Sequence, residues 1–309
     1  IDSETPDPFR VFGDSDERFH IHTGSGSLTD ALAERLEDRI NLDHRLVSVV
    51  QGDRITLTFA TTAGDEVVEV DHVIYALPFT KLREVDLSAS GLSAEKLEVI
   101  NEIGYGTNAK LMMQFTDRHW EAAPASSAGG VITDVGELQT LWATTRGQPG
   151  TQGILTNFVG GARGLAIGDG TAESQTTGIL ADIEKIFPGI TAKYVAGSAI
   201  RQHWPTAEFA KGSYACYKVG QWRFFGTEGI AEDTQHFCGE HCSEDFQGYM
   251  EGGADTGALV AAEILEDLRI ALPSSLASIL IMTANKRVRA SYHGAYGRRM
   301  KLSQIRRRG

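Results

Sequence analysis

The sequence predicts a chain of mixed class, α/β plus α+β, and three observations predict it. Period-two apolar runs and amphipathic helical stretches both occur. The middle of the chain is dominated by strand-like runs. Near residue 240 a buried-type strand passes through a glycine-rich turn into a helix. With 309 residues, 41% of them hydrophobic, the chain can bury a sizeable core of about one or two domains.

Residues 17–50, "ERFHIHTGSGSLTDALAERLEDRINLDHRLVSVV", predict a short strand, a glycine turn, a helix opened by Ser27 or Thr29, and a second strand. Leu28, Leu32 and Leu36 give that helix an apolar stripe. Next, "RITLTFATTAGDEVVEVDHVIYALP" predicts two alternating strands joined at "TTAGDE", then a buried strand stopped by Pro78. A helix over about 93–103 leads to a strand in "GYGTNAKLMMQF", and "GGVITDV", "LQTLWATT" and "GILTNFVGG" continue in strand pattern. "TAESQTTGILADIEKIFPG" is a helix capped by Thr171, with Glu173 in its first turn and Pro188-Gly189 at its end. "YVAGSAIRQHW" is a further strand, so the middle reads as an antiparallel α+β region. Finally "TQHFCGEHC" leaves the core as a strand, and "GADTGALVAAEILEDL" is an amphipathic helix with small residues on one side.

Charge is unevenly spread. The chain carries a net −12, yet residues 271–309 hold nine Lys or Arg and no Asp or Glu. The acidic body disfavours nucleic acid and favours cationic small molecules, while the basic tail reads as a disordered extension. No run of about 18 apolar residues is present, so no membrane span is expected. Three cysteines, Cys216, Cys238 and Cys242, make no disulfide framework and suit a reducing compartment, with the cytoplasm favoured.

The stretch "HFCGEHCSEDFQGYMEGGADTG" crowds His236, Cys238, His241 and Cys242 together. On a strand, His236 and Cys238 share a face while His241 and Cys242 lie beyond it, so convergence on zinc is awkward and no metal is expected. The same stretch suits an anionic or electron-rich ligand. Glycine lets a ring or phosphate approach the backbone, a helix N-terminus favours negative charge, and the carboxylate of Glu240 accepts hydroxyl bonds.

Four blocks in a fixed order carry a resemblance: "RFHIHTGSGSLTDALAERLEDRINLDHRLVSV", "GTNAKLMMQF", "HWPTAEFAKGSYACY" and "GEHCSEDFQGYMEGGADTGALVAAEIL". Together they resemble the flavin-containing amine oxidases, a family that includes monoamine oxidases, polyamine oxidases and L-amino-acid oxidases. The resemblance implies a partial FAD-binding domain, Rossmann-like and GR2-type, at 17–80 and 207–270. It also implies an inserted antiparallel-sheet substrate domain at 81–206 that roofs the flavin, leaving 271–309 as the tail.

The same resemblance assigns roles. Val47 matches the position whose backbone holds the adenine, and Glu240 the acid that bonds the ribityl or diphosphate region. Gly248, Tyr249, Met250, Glu251, Gly252 and Gly253 match the helix start that faces the flavin carbonyl. Lys110 matches the lysine beside flavin N5, and its place in the apolar run "AKLMMQF" agrees, since an interior lysine needs a partner. Tyr214 and Tyr249 match the aromatic pair flanking the substrate amine, and Trp204 an aromatic packed near the flavin. Members with covalent flavin carry Cys directly before the matched tyrosine; here Ser213 stands there, so FAD is expected to be non-covalent.

One element of the family pattern is not found. The strand–GxGxxG–helix unit is missing, and "GSGSLT" at 24–29 lacks the third glycine. A segment or partner that supplies the FAD diphosphate site is therefore expected. The implied activity is FAD-dependent oxidation of a small-molecule amine by O2, giving imine, aldehyde and H2O2. L-Amino-acid oxidation is the alternative, although Arg201 is not assigned as its carboxylate clamp. A non-catalytic fragment or a subunit of a split enzyme is the alternative of another class.

Overall fold

The computed structural model describes residues 21–122, 127–274 and 276–277. The expected strand at 18–22 falls mostly outside these residues, as does the basic tail from 278 onward. Two compact units are formed: Ile1–Leu46 with Phe59–Glu66, and Val47–Thr58 with Val67–Gly309.

In the first unit, helix α1 (Gly26–Arg35) begins one residue before Ser27. Ser27 and Thr29 do not cap it; their hydroxyls donate back to the Gly24 and Gly26 carbonyls at 2.7 Å. Its predicted stripe buries nothing: Leu28, Leu32 and Leu36 are 48%, 52% and 51% exposed. Next along the chain come strands β1 (Arg45–Gln51), β2 (Ile55–Thr61) and β3 (Gly64–Val70), each with residues assigned to both units. The "TTAGDE" joint between β2 and β3 is a tight turn in which Thr61 Oγ1 donates to the Gly64 carbonyl at 2.7 Å.

The second unit contains β4 (Val73–Tyr75), helix α2 (Phe79–Leu82), β5 (Asp86–Ala89) and helix α3 (Ala94–Glu102). Strand β5 lies parallel to β1, with Ser48 opposite Asp86. Ser93 caps α3 by accepting from the Lys96 N–H at 3.1 Å.

Five strands make the central antiparallel sheet: β6 (Ala109–Phe115), β7 (Val131–Ile132), β8 (Thr140–Ala143), β9 (Gly153–Val159) and β10 (Ile200–His203). Their order is β10-β6-β9-β8-β7. Strand β6 alternates strictly, with Ala109, Leu111, Met113 and Phe115 buried and Lys110, Met112 and Gln114 half-exposed. The buried face packs with Leu141, Leu155 and Val159 against helix α5 (Ala172–Ile186), which contributes Ile179, Leu180 and Ile183. A short helix, α4 (Gly161–Ala166), joins β9 to this region.

Thr171 caps α5 and Glu173 lies in its first turn, both as expected, with Ser174 as the reciprocal partner of the cap. Glu173 reaches out to the Tyr194 hydroxyl at 2.7 Å and the Gly197 N–H at 3.1 Å. Strand β11 (Gln235–Phe237) then runs parallel to β4, and helix α6 (Met250–Asp267) follows. Among the described residues no helix is long and apolar enough to cross a membrane.

Candidate active site

The glycine-rich segments around 104–108 and 212–216 bring their backbones into close approach. Gly106 N donates to the Tyr214 carbonyl at 2.8 Å, and Ser213 N to the Gly106 carbonyl at 2.9 Å. A Cβ at Gly106 would lie 2.3 Å from Ser213 Oγ, and one at Gly104 would lie 2.2 Å from the Cys216 carbonyl. Only glycine permits this packing, which fixes Tyr214 beside the start of β6. Ser213 Oγ also donates to Asn108 Oδ1 at 2.7 Å.

Glu240 joins Tyr214's segment to the start of α6. One carboxylate oxygen accepts from Ala215 N at 2.9 Å, and the other from Gly248 N at 2.8 Å. Burial pushes its carboxyl above the ordinary carboxylate range, and the two N–H bonds oppose that shift. Between the clamped neighbours the Tyr214 ring lies alongside Gly248, where an added Cβ would sit 3.7 Å from it. Gly248 adopts φ +85°, and Tyr249 follows as the N-cap of α6. Tyr214 and Tyr249 remain 38% and 44% exposed, so both rings are available to a ligand. Burial raises the Tyr214 phenol pKa.

Tyr249 gives α6 no side-chain cap, so the helix start holds N–H groups for water or a ligand. Gly252 is buried against the preceding loop, where a Cβ would come within 2.4 Å of the Phe246 carbonyl. Gly253 faces open space, and Met250 and Glu251 are exposed.

Lys110 lies on the half-exposed face of β6, opposite the core, rather than in the interior that its apolar run suggested. Alternation along the strand is the reason. Its partners are aromatic: Nζ sits 5.5 Å from the Trp142 ring centroid and 5.8 Å from that of Phe158. Gln202 of β10 is directly opposite Lys110, and the chain enters the Trp204 turn two residues later. The clamp brings Tyr214, Glu240 and the Gly248–Tyr249 helix start together, while β6 and β10 place Lys110 and the Trp204 turn. Val47 lies on β1.

Several groups escaped sequence reading. Lys96, in the middle of the acidic helix α3, is 3% exposed; its Nζ donates to the Thr227 and Glu228 carbonyls at 2.8 and 2.9 Å and lies 4.3 Å above the Phe237 ring. Burial pushes it down to about 8. Tyr217 donates to the buried Glu228 carboxylate and accepts from Gln247 at 2.9 Å, a second tie between the two tyrosine segments. Arg201 is a structural donor to the carbonyls of Ile167, Asp169 and Gly170 at 2.9–3.0 Å.

His236 faces His72, with ring nitrogens 3.3 Å apart, and His241 packs on Phe79. Among the described residues no three His, Cys, Asp or Glu side chains converge as a metal site.

The fold that carries the antiparallel sheet and the clamped helix start is shared with solved oxidases. A solved putrescine oxidase superposes with a TM-score of 0.68 at 20% identity, over 79% of this chain and 53% of that one. Cyclohexylamine oxidase from Brevibacterium oxydans IH-35A gives 0.68 at 21% identity, over 80% and 53%. Residues 3–265 match the family described as flavin containing amine oxidoreductase, and the chain belongs to that family. A flavin-dependent L-tryptophan oxidase of Lentzea aerocolonigenes is 26% identical over 265 residues, which is 80% of this chain and 52% of that protein. Flavin-containing amine oxidase A of Equus caballus is 24% identical over 250 residues, 79% of this chain and 46% of that protein. The chain thus spans about half the length of the curated relatives it matches.

Proposed function

We propose that this chain forms the substrate-facing and flavin-facing part of an FAD-dependent amine oxidase, acting on a monoamine or polyamine. The observation that carries the reading is the Glu240 clamp, which holds Tyr214 beside Gly248 and Tyr249 at an uncapped helix start. Family membership supports the cofactor class, and the residues fit the ring end of a flavin. Free N–H groups at the start of α6 suit a carbonyl that gains negative charge, and Glu240 keeps lone pairs beyond the two it has committed. Gly248 through Gly253 and Glu240 would hold the cofactor there, with Val47 as the adenine contact and Trp204 beside the ring. The diphosphate end has no GxGxxG site in this sequence, so a further segment or a partner supplies it.

FAD, when bound, would supply the two-electron oxidation of the amine to an imine with O2 as final acceptor, giving H2O2, and water would hydrolyse the released imine to an aldehyde and ammonia or an amine. Tyr214 and Tyr249 would flank the amine and attract its ammonium form through their ring faces. Lys110 would hold water at the sheet side, steadied by Trp142 and Phe158. Ser213, already bonded to Asn108, stands where a covalent flavin link would need Cys, which supports non-covalent binding. We keep 17–80 with 207–270 as the FAD-binding parts and 81–206 as the substrate domain within this reading.

L-Amino-acid oxidation is the second reading, favoured by the L-tryptophan oxidase relative. With Arg201 engaged, its carboxylate clamp would come from elsewhere. The test is the visible absorbance of the purified chain with and without FAD, followed by anaerobic addition of amines or L-amino acids. Bound flavin bleached by an amine supports the proposal; a bound flavin that no amine or amino acid bleaches refutes it.

A further inference from the structure

Lys96 is a buried charge with no part in the chemistry proposed above. Its Nζ donates to the Thr227 and Glu228 carbonyls and lies above the Phe237 ring. From that loop a chain of side-chain bonds runs to the start of α6. The Glu228 carboxylate, on a residue 1% exposed, accepts from the Tyr217 hydroxyl, and that hydroxyl accepts from Gln247 Nε2 at 2.9 Å. Gln247 immediately precedes Gly248, whose N–H is held by Glu240 at 2.8 Å. Each donor in the chain points toward the Glu228 anion, so the bonds polarise one another. Glu232 fixes the far end of the loop to α3, accepting from the Ser93 N–H at 2.6 Å and from its hydroxyl at 2.5 Å. Gly229 packs the loop on Cys242, where an added Cβ would lie 3.2 Å from both the Cβ and the carbonyl oxygen.

We infer that Lys96 is a positioning residue for the Gly248–Tyr249 helix start: its ammonium keeps Glu228 ionised, and the ionised Glu228 holds Gln247 in place through Tyr217. The inference rests on the reading of that helix start as the flavin-facing end and adds what holds it. Loss of the Lys96 proton leaves the Glu228 carboxylate buried without its counter-charge and favours the neutral acid. A bond to the neutral acid is about half as strong as one to the anion, so the tether on Gln247 slackens. The titratable groups that face Lys96 are Glu228 and Glu232 from the loop, and His241 and Cys242 from the turn after β11. Burial pushes Cys242 well up and His241 down to about 4, so neither changes charge between pH 7 and 9, whereas burial brings Lys96 down to about 8. That value lies below the ordinary 10.5, so the buried charge costs stability below about pH 8 and the cost is relieved as pH rises toward 10.5. The helix start therefore loosens over the interval in which Lys96 ceases to burden the fold, a combination that a purely structural lysine does not give.

Hydrogen exchange of the full 309-residue chain, read by mass spectrometry without flavin, is the test. The ratio of exchange at 247–251 to exchange in α5 cancels the intrinsic pH dependence of the exchange chemistry. In the wild type that ratio is expected to rise about threefold or more between pH 7 and 9, the difference between a charge-assisted and a neutral bond. Tyr217→Phe keeps Lys96 but breaks the tether, so its ratio should be raised at pH 7 and flat with pH. Lys96→Met should behave in the same way, and should it not fold, the wild type and Tyr217→Phe decide the matter. A flat ratio in the wild type, a rise that survives in Tyr217→Phe, or a folded Lys96→Met that keeps the wild-type ratio at pH 7 would overturn the inference. FAD is titrated separately, and binding about threefold or more weaker at pH 9 than at pH 7 is expected, equal binding counting against the inference. No FAD binding at either pH, with the exchange ratio behaving as described, counts against the oxidase reading and leaves the role of Lys96 standing. Bound flavin bleached by an amine, with a flat ratio, does the reverse.

Discussion

His241, inside the "GEHC" stretch, makes the stability of this chain depend on pH between 7 and 5. The ring is 3% exposed, lies edge-on to Phe79 with centroids 4.4 Å apart, and its Nε2 has no hydrogen-bond partner among the described residues. Burial first, and then the nearby Lys96 charge, push its pKa down from 6.5 to about 4. Because the folded value lies below the unfolded one, the stabilisation is present above pH 6.5 and is lost as pH falls toward 4. With those two values, the loss between pH 7 and pH 5 is about 2 kcal/mol. Urea unfolding followed by tryptophan fluorescence, at both pH values, measures it. His241→Gln removes the titrating ring, so the wild-type chain should lose about 2 kcal/mol more than the variant over that interval. Equal losses in both proteins would refute the reasoning.

Glu240→Gln leaves one acceptor oxygen for two backbone N–H groups, at a cost of about 1–3 kcal/mol, and hydrogen exchange should rise at Ala215 or Gly248 more than in α5. Gly252→Ala puts a methyl 2.4 Å from the Phe246 carbonyl. The start of α6 must then shift, and a stability loss of about 1–3 kcal/mol in the same urea assay is expected, together with weaker FAD binding. Ile183→Ala, at a position with no exposed surface between α5 and the sheet, should cost about 2–5 kcal/mol without changing the ratio of flavin to folded protein.

The sequence disclosed those parts of the fold whose local signals agree with their tertiary setting. The α5 helix, with Thr171 before it and Pro188-Gly189 after it, lies where its pattern predicts. Strand β6 and its neighbours are also found within the predicted runs. Strands come out shorter where the pattern is loose: "YVAGSAIRQHW" yields only Ile200–His203, because Gly197 takes φ +80° and interrupts extension. The leucines of α1 follow helical spacing, but spacing states only which residues share a side, not whether anything covers it.

At the proposed site, the family resemblance pointed to Tyr214, Glu240 and Tyr249, while their mutual arrangement stayed hidden. The partners of Glu240 are backbone N–H groups 25 and 8 residues away, which carry no side-chain signature. Lys96 was obscured for a similar reason. It sits among Glu95, Glu98 and Glu102 on a helix that reads as solvated, and its partners, the carbonyls of Thr227 and Glu228 and the Phe237 ring, are far along the chain.

The glycines at 104, 106 and 212 have a consequence for how such a protein diversifies. A side chain added there collides with the Cys216 carbonyl, the Ser213 hydroxyl or the Tyr105 side chain, so the support beneath Tyr214 offers almost no room for inherited change. Half-exposed positions on the sheet, such as Thr140, Trp142 and Gln202, carry no comparable constraint, since their side chains point away from the buried core. Descendants of this chain would therefore accumulate change along the strands while keeping the Tyr214 support fixed, and directed libraries are best aimed at the same three positions.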